Sequence, residues 1–237
     1  MKRSRNRLAG IGAAALASLA AFAPIGAAPA AAAPDWAATS SVTRDGAHVL
    51  GNPQADTRLI TFVSYTCPHC ARFEGESDMP LRAAYVQPGT LALEVRHIIR
   101  DPIDMTAVLL AECGPASRFW GNHRAIFAAQ DDWMATARAT TPEQRQRWST
   151  GTLANRFKAI SADLRFYELM QQRGYSRTQV DQCLSDPARV DKFANQSQAD
   201  GQTYKVQGTP SFVLNGKLLD QVHTWAGLKQ ALDTRMN

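Results

Sequence analysis

Two cysteines separated by two residues, in Cys67-Pro68-His69-Cys70, are the residues of this chain best suited to chemistry. They follow the apolar run 59–63, which predicts a β-strand, and they open a stretch that predicts a helix. The first sulfur would then lie where unpaired backbone N–H groups and the positive end of a helix dipole converge, which favours a thiolate over a thiol. The spacing therefore indicates a reactive dithiol.

A metal site is the competing interpretation of this spacing, because two such cysteines can form half of a zinc site. The other half would have to come from Cys113, Cys183 or histidines, yet the sequence has no second Cys-x-x-Cys and no His-x3-His pair. We therefore expect redox chemistry at Cys67 and Cys70, and no metal. A disulfide across so short a loop removes little entropy from the unfolded chain, so its value would be chemical.

The two residues between the cysteines have different expected roles. Pro68 suits the first turn of a helix, where no N–H partner is needed. His69 could stabilise a Cys67 thiolate through positive charge or through an N–H group; the alternative is an exposed histidine of no consequence. We expect the catalytic set to be Cys67, Cys70, His69 and Pro68.

The first 33 residues have the pattern of a secretory signal peptide. Four basic residues lie among the first seven, the apolar run 8–23 follows, and small residues over 27–33 offer an Ala-x-Ala cleavage site. A membrane anchor is the alternative, but the run falls short of the roughly 20 apolar residues that a spanning helix needs. We expect a signal peptide at 1–33 and an exported protein.

Removing this leader changes the charge argument. The whole chain has a net charge of +5, but four of its 26 Lys and Arg residues and none of its 21 acidic residues precede Pro34, which leaves about +1. We therefore expect no nucleic-acid partner. About 200 residues remain, enough for one large core or two small ones.

Cys113 and Cys183 lie in segments that predict helices, 106–112 and 176–184. Exported proteins meet an oxidising environment, so cysteines outside the reactive pair are expected to be bonded. A structural disulfide between the two helices is the first interpretation. Two buried free thiols, or an accessory redox relay, are the alternatives.

The remaining pattern predicts an α/β scaffold split by helices. Strands are predicted at 59–63, 91–99, 211–214 and 217–219, the last two flanking Asn215-Gly216, a pair suited to a type I′ turn. Further helices are predicted at 81–86 and 224–234. Between these parts the chain predicts a run of helices at 105–112, 116–129, 142–148, 153–161, 162–172 and 189–202.

Thr209-Pro210 follows Gly208 and precedes a predicted strand. A cis X-Pro bond at such a place turns the chain sharply beside a site, although trans is the commoner form for X-Pro bonds in general.

Four motifs, taken in order, resemble the bacterial DsbA-type thiol:disulfide oxidoreductases over roughly residues 49–232. They are Leu50-Gly51-Asn52-Pro53, then Phe62-Val63-Ser64-Tyr65-Thr66-Cys67-Pro68-His69-Cys70, then Glu112-Cys113 with Phe119-Trp120, and Val206-Gln207-Gly208-Thr209-Pro210-Ser211-Phe212-Val213-Leu214-Asn215-Gly216. The resemblance implies a thioredoxin fold with an inserted all-helical domain, the dithiol facing a cis-proline loop, and periplasmic protein oxidation. The expected divisions are 34–103 and 196–237 for the thioredoxin-like domain and 104–195 for the insertion.

The resemblance also implies the partners of the protein. Thr209 and Pro210 would meet substrates, which would be reduced exported polypeptides. A DsbB-like membrane quinone oxidoreductase would reoxidise the dithiol. We expect a monomer without a cofactor.

Three residues qualify this function. Many relatives carry acidic residues where this chain has Thr61 and Ser64, so proton handling at Cys70 is expected to differ and the site to remain a strong oxidant. Thr209 also occurs before the cis-proline of disulfide isomerases and reductases, which makes those activities the alternative, although residues 34–44 are too few for the dimerisation domain of an isomerase. An exported thiol or metal chaperone is the second alternative.

Overall fold

A mixed β-sheet forms the centre of the computed structural model, which describes residues 34–236. The signal peptide expected over 1–33 lies outside the described residues. In the described part of the chain the sheet has six strands in the order β1-β2-β4-β3-β5-β6. Their bounds are β1 Ser40–Val42, β2 His48–Gly51, β3 Thr57–Val63, β4 Leu91–His97, β5 Ser211–Leu214 and β6 Lys217–Leu218.

Strand β3 is buried because both of its faces are apolar. Leu59 and Val63 pack into the larger hydrophobic core, whereas Ile60 and Phe62 pack with Val213 in a smaller one. The strand pairs in parallel with β4 and antiparallel with β5. Since parallel neighbours need a crossover connection, a helix lies between β3 and β4, and β3 leads directly into the dithiol at the start of that helix.

Ten α-helices lie within the described residues. They are α1 Pro68–Leu81, α2 Pro102–Ala111, α3 Phe119–Ala128, α4 Gln130–Arg138, α5 Pro142–Ser149, α6 Leu153–Asp163, α7 Phe166–Gln172, α8 Arg177–Cys183, α9 Pro187–Thr203 and α10 Trp225–Met236. Helices α2 to α9 follow one another without a strand between β4 and β5. The predicted α/β fold with an inserted helical region is confirmed.

The local predictions were wrong at several points. The separate helix at 81–86 is a π-helical turn, Arg82–Val86, that continues α1 after Pro80, since a proline inside a helix disturbs the regular hydrogen-bond pattern. The helix at 162–172 is divided between α6 and α7 by Arg165, whose φ of 61° is left-handed. Helix α4 was not predicted. Its buried residues are Gln130, which is polar, and Trp133, so the segment shows little of the apolar periodicity that indicates a helix.

Helix α9 runs through the boundary expected at residue 195. Its last turns contact the sheet: Ser197 Oγ accepts a hydrogen bond from the Ile99 backbone N–H at 2.8 Å, and Asp200 Oδ1 pairs with Arg96 Nη1 at 2.8 Å. The helical insertion therefore returns to the sheet through one continuous helix.

A disulfide and a tight turn complete the fold. Cys113, just after α2, and Cys183, at the end of α8, are joined by a disulfide with a Cα–Cα distance of 5.5 Å. Asn215 and Gly216 both have positive φ angles, 49° and 79°, which confirms the predicted hairpin turn. Over residues 34–236, every helix is too short or too polar to cross a membrane.

Candidate active site

Cys67 and Cys70 lie at the N-terminus of α1, as expected from the sequence. Cys67 is the N-cap residue with extended backbone angles, φ −91° and ψ 115°, and Pro68 takes the first helical position. Both cysteines are free thiols and both are buried, with 3% and 0% of their surface exposed. Pro68 and His69 are exposed between them.

The environment of Cys67 stabilises its thiolate. A hydrogen bond from the Cys70 side chain contributes most to lowering the pKa of Cys67 to about 4, against the opposing effect of burial. The Thr209 side chain and the backbone N–H groups of Cys70 and His69 lower it further. Cys67 is therefore an anion at neutral pH.

Cys70 has the opposite tendency. Burial raises its pKa far above the ordinary value of a cysteine, and the hydrogen bond to Cys67 and the negative charge there raise it further. The pair consequently consists of one stable anion and one buried thiol that keeps its proton.

His69 acts on Cys67 through its backbone. Its N–H group is among the groups that lower the pKa of Cys67. Any residue at this position other than proline would supply that N–H, so a role for the His69 ring stays a prediction.

The loop that contains Pro210 faces the reactive sulfur. The Thr209–Pro210 peptide bond is cis, and Cys67 Sγ lies 3.2 Å from the Thr209 carbonyl oxygen, which accepts a hydrogen bond from Cys67 only when the thiol is protonated. The Thr209 hydroxyl is buried and has no hydrogen-bond partner among the described residues, so it is available to a Cys67 thiolate. His223, which the sequence did not single out, lies 2.8 Å by its Nδ1 from the Pro210 carbonyl oxygen.

Gln130, at the start of α4, holds the backbone that leads into the dithiol. Its Nε2 donates to the carbonyl oxygens of Tyr65, at 2.6 Å, and Cys67, at 2.9 Å. The residue is buried, and it belongs to the helical insertion rather than to the thioredoxin-like part. No signal in the sequence points to it.

Thr61, in β3, and Ser64, directly after β3, are both buried. Thr61 Oγ1 donates to the Glu94 carbonyl oxygen at 3.3 Å, while Ser64 Oγ donates to Asp104 Oδ2 at 2.6 Å. Asp104 also accepts from the backbone N–H groups of Tyr65, at 2.8 Å, and Arg100, at 3.1 Å.

Asp104 is a fully buried carboxyl that the sequence reasoning missed. Burial raises its pKa to about 6 in spite of the hydrogen bonds from Ser64 and the Tyr65 backbone. The Ser64 backbone is in turn one of the groups that lower the pKa of Cys70. Ser64 therefore connects the backbone before the dithiol to an acid from α2 by a hydrogen bond.

In the part of the chain that the structure describes, no three His, Cys, Asp or Glu side chains are grouped closely enough to hold a metal ion.

Comparisons with known proteins agree with this geometry. A family model described as thioredoxin matches residues 43–234. The crystal structure titled protein-disulfide isomerase from Novosphingobium aromaticivorans is 48% identical, with a TM-score of 0.78, and the match covers 81% of this chain and 98% of that one. Wolbachia pipientis alpha-DsbA1 has the same fold, with a TM-score of 0.62 and 18% identity over 81% of this chain and 92% of that one.

A curated relative from Rickettsia typhi, named as a protein-disulfide oxidoreductase, is 27% identical over 71% of this chain and 54% of its own length. The chain therefore spans about half the length of that relative. The sheet, the helical insertion and the dithiol at the start of α1 are those of a thioredoxin-fold redox protein. Within that class, the chain belongs to the DsbA-type thiol:disulfide oxidoreductases.

Proposed function

We propose that the protein is a dithiol oxidase that donates the Cys67–Cys70 disulfide to reduced polypeptides exported from the cell. The observation that carries this proposal is the difference between the two sulfurs: the pKa of Cys67 is lowered to about 4, while that of Cys70 is raised. When the first cysteine of a dithiol is stable as a thiolate, the reduced state is more stable than the disulfide. Such a protein therefore tends to transfer its disulfide to a substrate.

The reaction proceeds by two exchanges. A substrate thiolate attacks Cys67 Sγ, which breaks the Cys67–Cys70 bond, forms a mixed disulfide and releases Cys70, which takes up a proton. The second substrate thiolate then attacks the substrate's own bonded sulfur and expels Cys67 as a thiolate. The substrate gains a disulfide and loses two electrons, and the enzyme gains both.

In this scheme each residue around the sulfurs has a separate role. The Thr209 hydroxyl and the backbone N–H groups of His69 and Cys70 stabilise the leaving Cys67. Pro210 keeps the loop beside the mixed disulfide free of an N–H donor at its own position. The Cys113–Cys183 disulfide stabilises the insertion and takes no part in the exchange.

The test combines a redox potential with a refolding assay. The Cys67/Cys70 couple is equilibrated with glutathione buffers, and oxidation of reduced ribonuclease is followed in parallel, with Cys67→Ala as the inactive control. We expect a potential nearer to about −120 mV than to about −270 mV, together with catalysed oxidation. A potential as reducing as that of thioredoxin would refute the proposal.

Disulfide isomerisation is the second candidate, because a structure 48% identical to this chain is titled a protein-disulfide isomerase. Reactivation of scrambled ribonuclease distinguishes the two activities. An isomerase would reactivate the scrambled protein faster than it oxidises the reduced one, and an oxidase would do the reverse.

We place the protein in the periplasm on the sequence of residues 1–33, and we propose a DsbB-like quinone oxidoreductase of the membrane as the oxidant that regenerates the disulfide. Incubation of the reduced protein with bacterial membranes and quinone should restore the Cys67–Cys70 disulfide.

A further inference from the structure

Four arginines line one cavity near the end of α1 that is remote from the dithiol. Arg82 directly follows α1, Arg118 and Arg124 lie just before and within α3, and Arg173 follows α7. The cavity has a volume of about 370 Å³, is partly open to solvent and also borders Ala37 and Ala38. Helix α1 is 14 residues long, so Arg82 lies about 20 Å from Cys67 along its axis.

The positive charge in this cavity is not balanced by the carboxylates around it. Asp78 is 3.9 Å from Arg82 Nη1 and 3.8 Å from Arg124 Nη1, and over residues 34–236 neither Arg118 nor Arg173 has an ion-pair partner. Burial lowers the pKa of Arg124. The negative charge of Asp78 opposes this, but the positive charges of Arg82 and Arg173 lower the pKa further. Asp78 and Glu74 are the carboxylates whose charges act on Arg124, so four cations and two carboxylates leave a local charge of about +2, because arginine stays protonated.

Several N–H donors at this cavity are also without acceptors. Arg82 Nε, Arg173 Nε and Trp120 Nε1 are buried and have no hydrogen-bond partner among the residues described. A buried donor without an acceptor is unfavourable, and most such groups in folded proteins are paired with protein, water or a ligand. The three donors and the unbalanced charge would both suit one kind of ligand, an anion with several acceptor oxygens.

Gly121 makes room for one of these guanidinium groups. A Cβ atom at this position in α3 would overlap Arg173 Nη2. Glycine inside a helix is unfavourable by roughly 1 kcal/mol relative to alanine. At this position its missing side chain allows the Arg173 guanidinium to approach the helix backbone closely.

We propose that this cavity is a binding site for a phosphate-type oxyanion. Guanidinium groups pair with such oxygens through two parallel hydrogen bonds, and a multiply charged anion matches the residual charge better than a single carboxylate does. The same chemistry is presented by a free polyphosphate and by the phosphomonoester headgroup of a lipid. The site is separate from the dithiol and does not depend on the proposed oxidase activity.

Calorimetric titration with pyrophosphate, at constant ionic strength in chloride, tests the proposal. We expect one bound anion per chain, and we expect Arg173→Gln to weaken its affinity at least tenfold. Arg138→Gln removes an exposed arginine at the end of α4 and should leave the affinity unchanged. Absence of saturable binding, or equal weakening by the two variants, would overturn the proposal.

Cosedimentation with vesicles separates the two sources of the anion. Binding to phosphatidic acid vesicles but not to phosphatidylcholine vesicles, abolished by Arg173→Gln and by competing pyrophosphate, indicates a lipid headgroup. Binding of pyrophosphate alone indicates a free anion.

Gly121→Ala provides a second variant should Arg173→Gln fail to fold. It retains all four arginines and favours the helix, yet it displaces the Arg173 guanidinium. We expect it to weaken pyrophosphate binding while ribonuclease oxidation stays at the parent rate. Parent-like affinity in a folded Gly121→Ala protein would contradict the assigned geometry.

Discussion

The hydroxyl of Thr209 offers a direct test of how Cys67 is held as an anion. It is buried, has no partner among the described residues, and is one of the groups that lower the pKa of Cys67. Thr209→Val removes the hydroxyl and keeps the branched shape of the side chain, the backbone contact and Pro210. The substitution therefore deletes one donor to the thiolate and little else.

The size of the effect follows from the strength of one hydrogen bond. A hydrogen bond to a charged group contributes about 1.5–3 kcal/mol. At 1.36 kcal/mol for each pKa unit, the pKa of Cys67 should rise from about 4 by about 1–2 units. The same free energy is lost from the reduced state, so the couple should become more reducing by about 30–60 mV.

Two measurements check this. The ultraviolet absorbance of the thiolate is titrated with acid to give the pKa of Cys67, and the redox potential is measured against glutathione. Thr209→Ser is the matched control, because it keeps a hydroxyl at the same atom and should titrate close to the parent. If the valine and serine proteins titrate together, the hydroxyl does not stabilise the thiolate and the reasoning fails.

Four further outcomes are expected. Gln130→Ala should lower the free energy of unfolding in urea by about 2–4 kcal/mol, because the buried carbonyl groups of Tyr65 and Cys67 lose their donor; a loss comparable to that of an exposed Gln→Ala change would contradict this role. Replacing Cys113 and Cys183 together by alanine should cost roughly 4 kcal/mol, since their bond closes a loop with a sequence separation of 70, and a denaturant midpoint like that of the parent would refute it. The reduced protein should melt at a higher temperature than the oxidised one at neutral pH, because the pKa of Cys67 is lower in the folded state than in the unfolded one. This extra stability of the reduced protein is complete above the unfolded pKa and is lost as the pH falls through about 4, which calorimetry at several pH values can follow. Asp104 gives the opposite pH dependence, because its folded pKa of about 6 is raised: its contribution to stability is complete below the unfolded pKa and is lost as the pH rises through about 6. Between acidic and neutral pH the parent should therefore lose on the order of 3 kcal/mol more of its free energy of unfolding in urea than Asp104→Asn does.

The dithiol and the loop opposite it could be predicted because their signals are local. Cys67, Pro68 and Cys70 are adjacent in sequence and directly follow the apolar strand β3, and the Asn215-Gly216 turn that follows β5 needs two adjacent residues with positive φ angles. Patterns of this kind require no knowledge of distant contacts.

Gln130 and Asp104 could not be found in this way. Gln130 contacts the Cys67 carbonyl across 63 positions of sequence, and Asp104 contacts Ser64 across 40. An amide in a helix with few apolar residues, or an acid at the first turn of another helix, looks like any solvated polar group until packing buries it. The helical insertion thus supplies two polar groups to the site that no sequence pattern reveals.

The continuity of α9 limits how the protein can be dissected or recombined. A chimera joined at residue 195 would sever this helix, deprive the Ile99 N–H of its Ser197 acceptor and leave Arg96 without the Asp200 carboxylate. A transplantable helical cassette instead begins at Asp101, the residue that caps α2, and ends beyond Thr203. Only a graft that carries both of these ends intact would place a new insertion on the sheet as a single rigid piece.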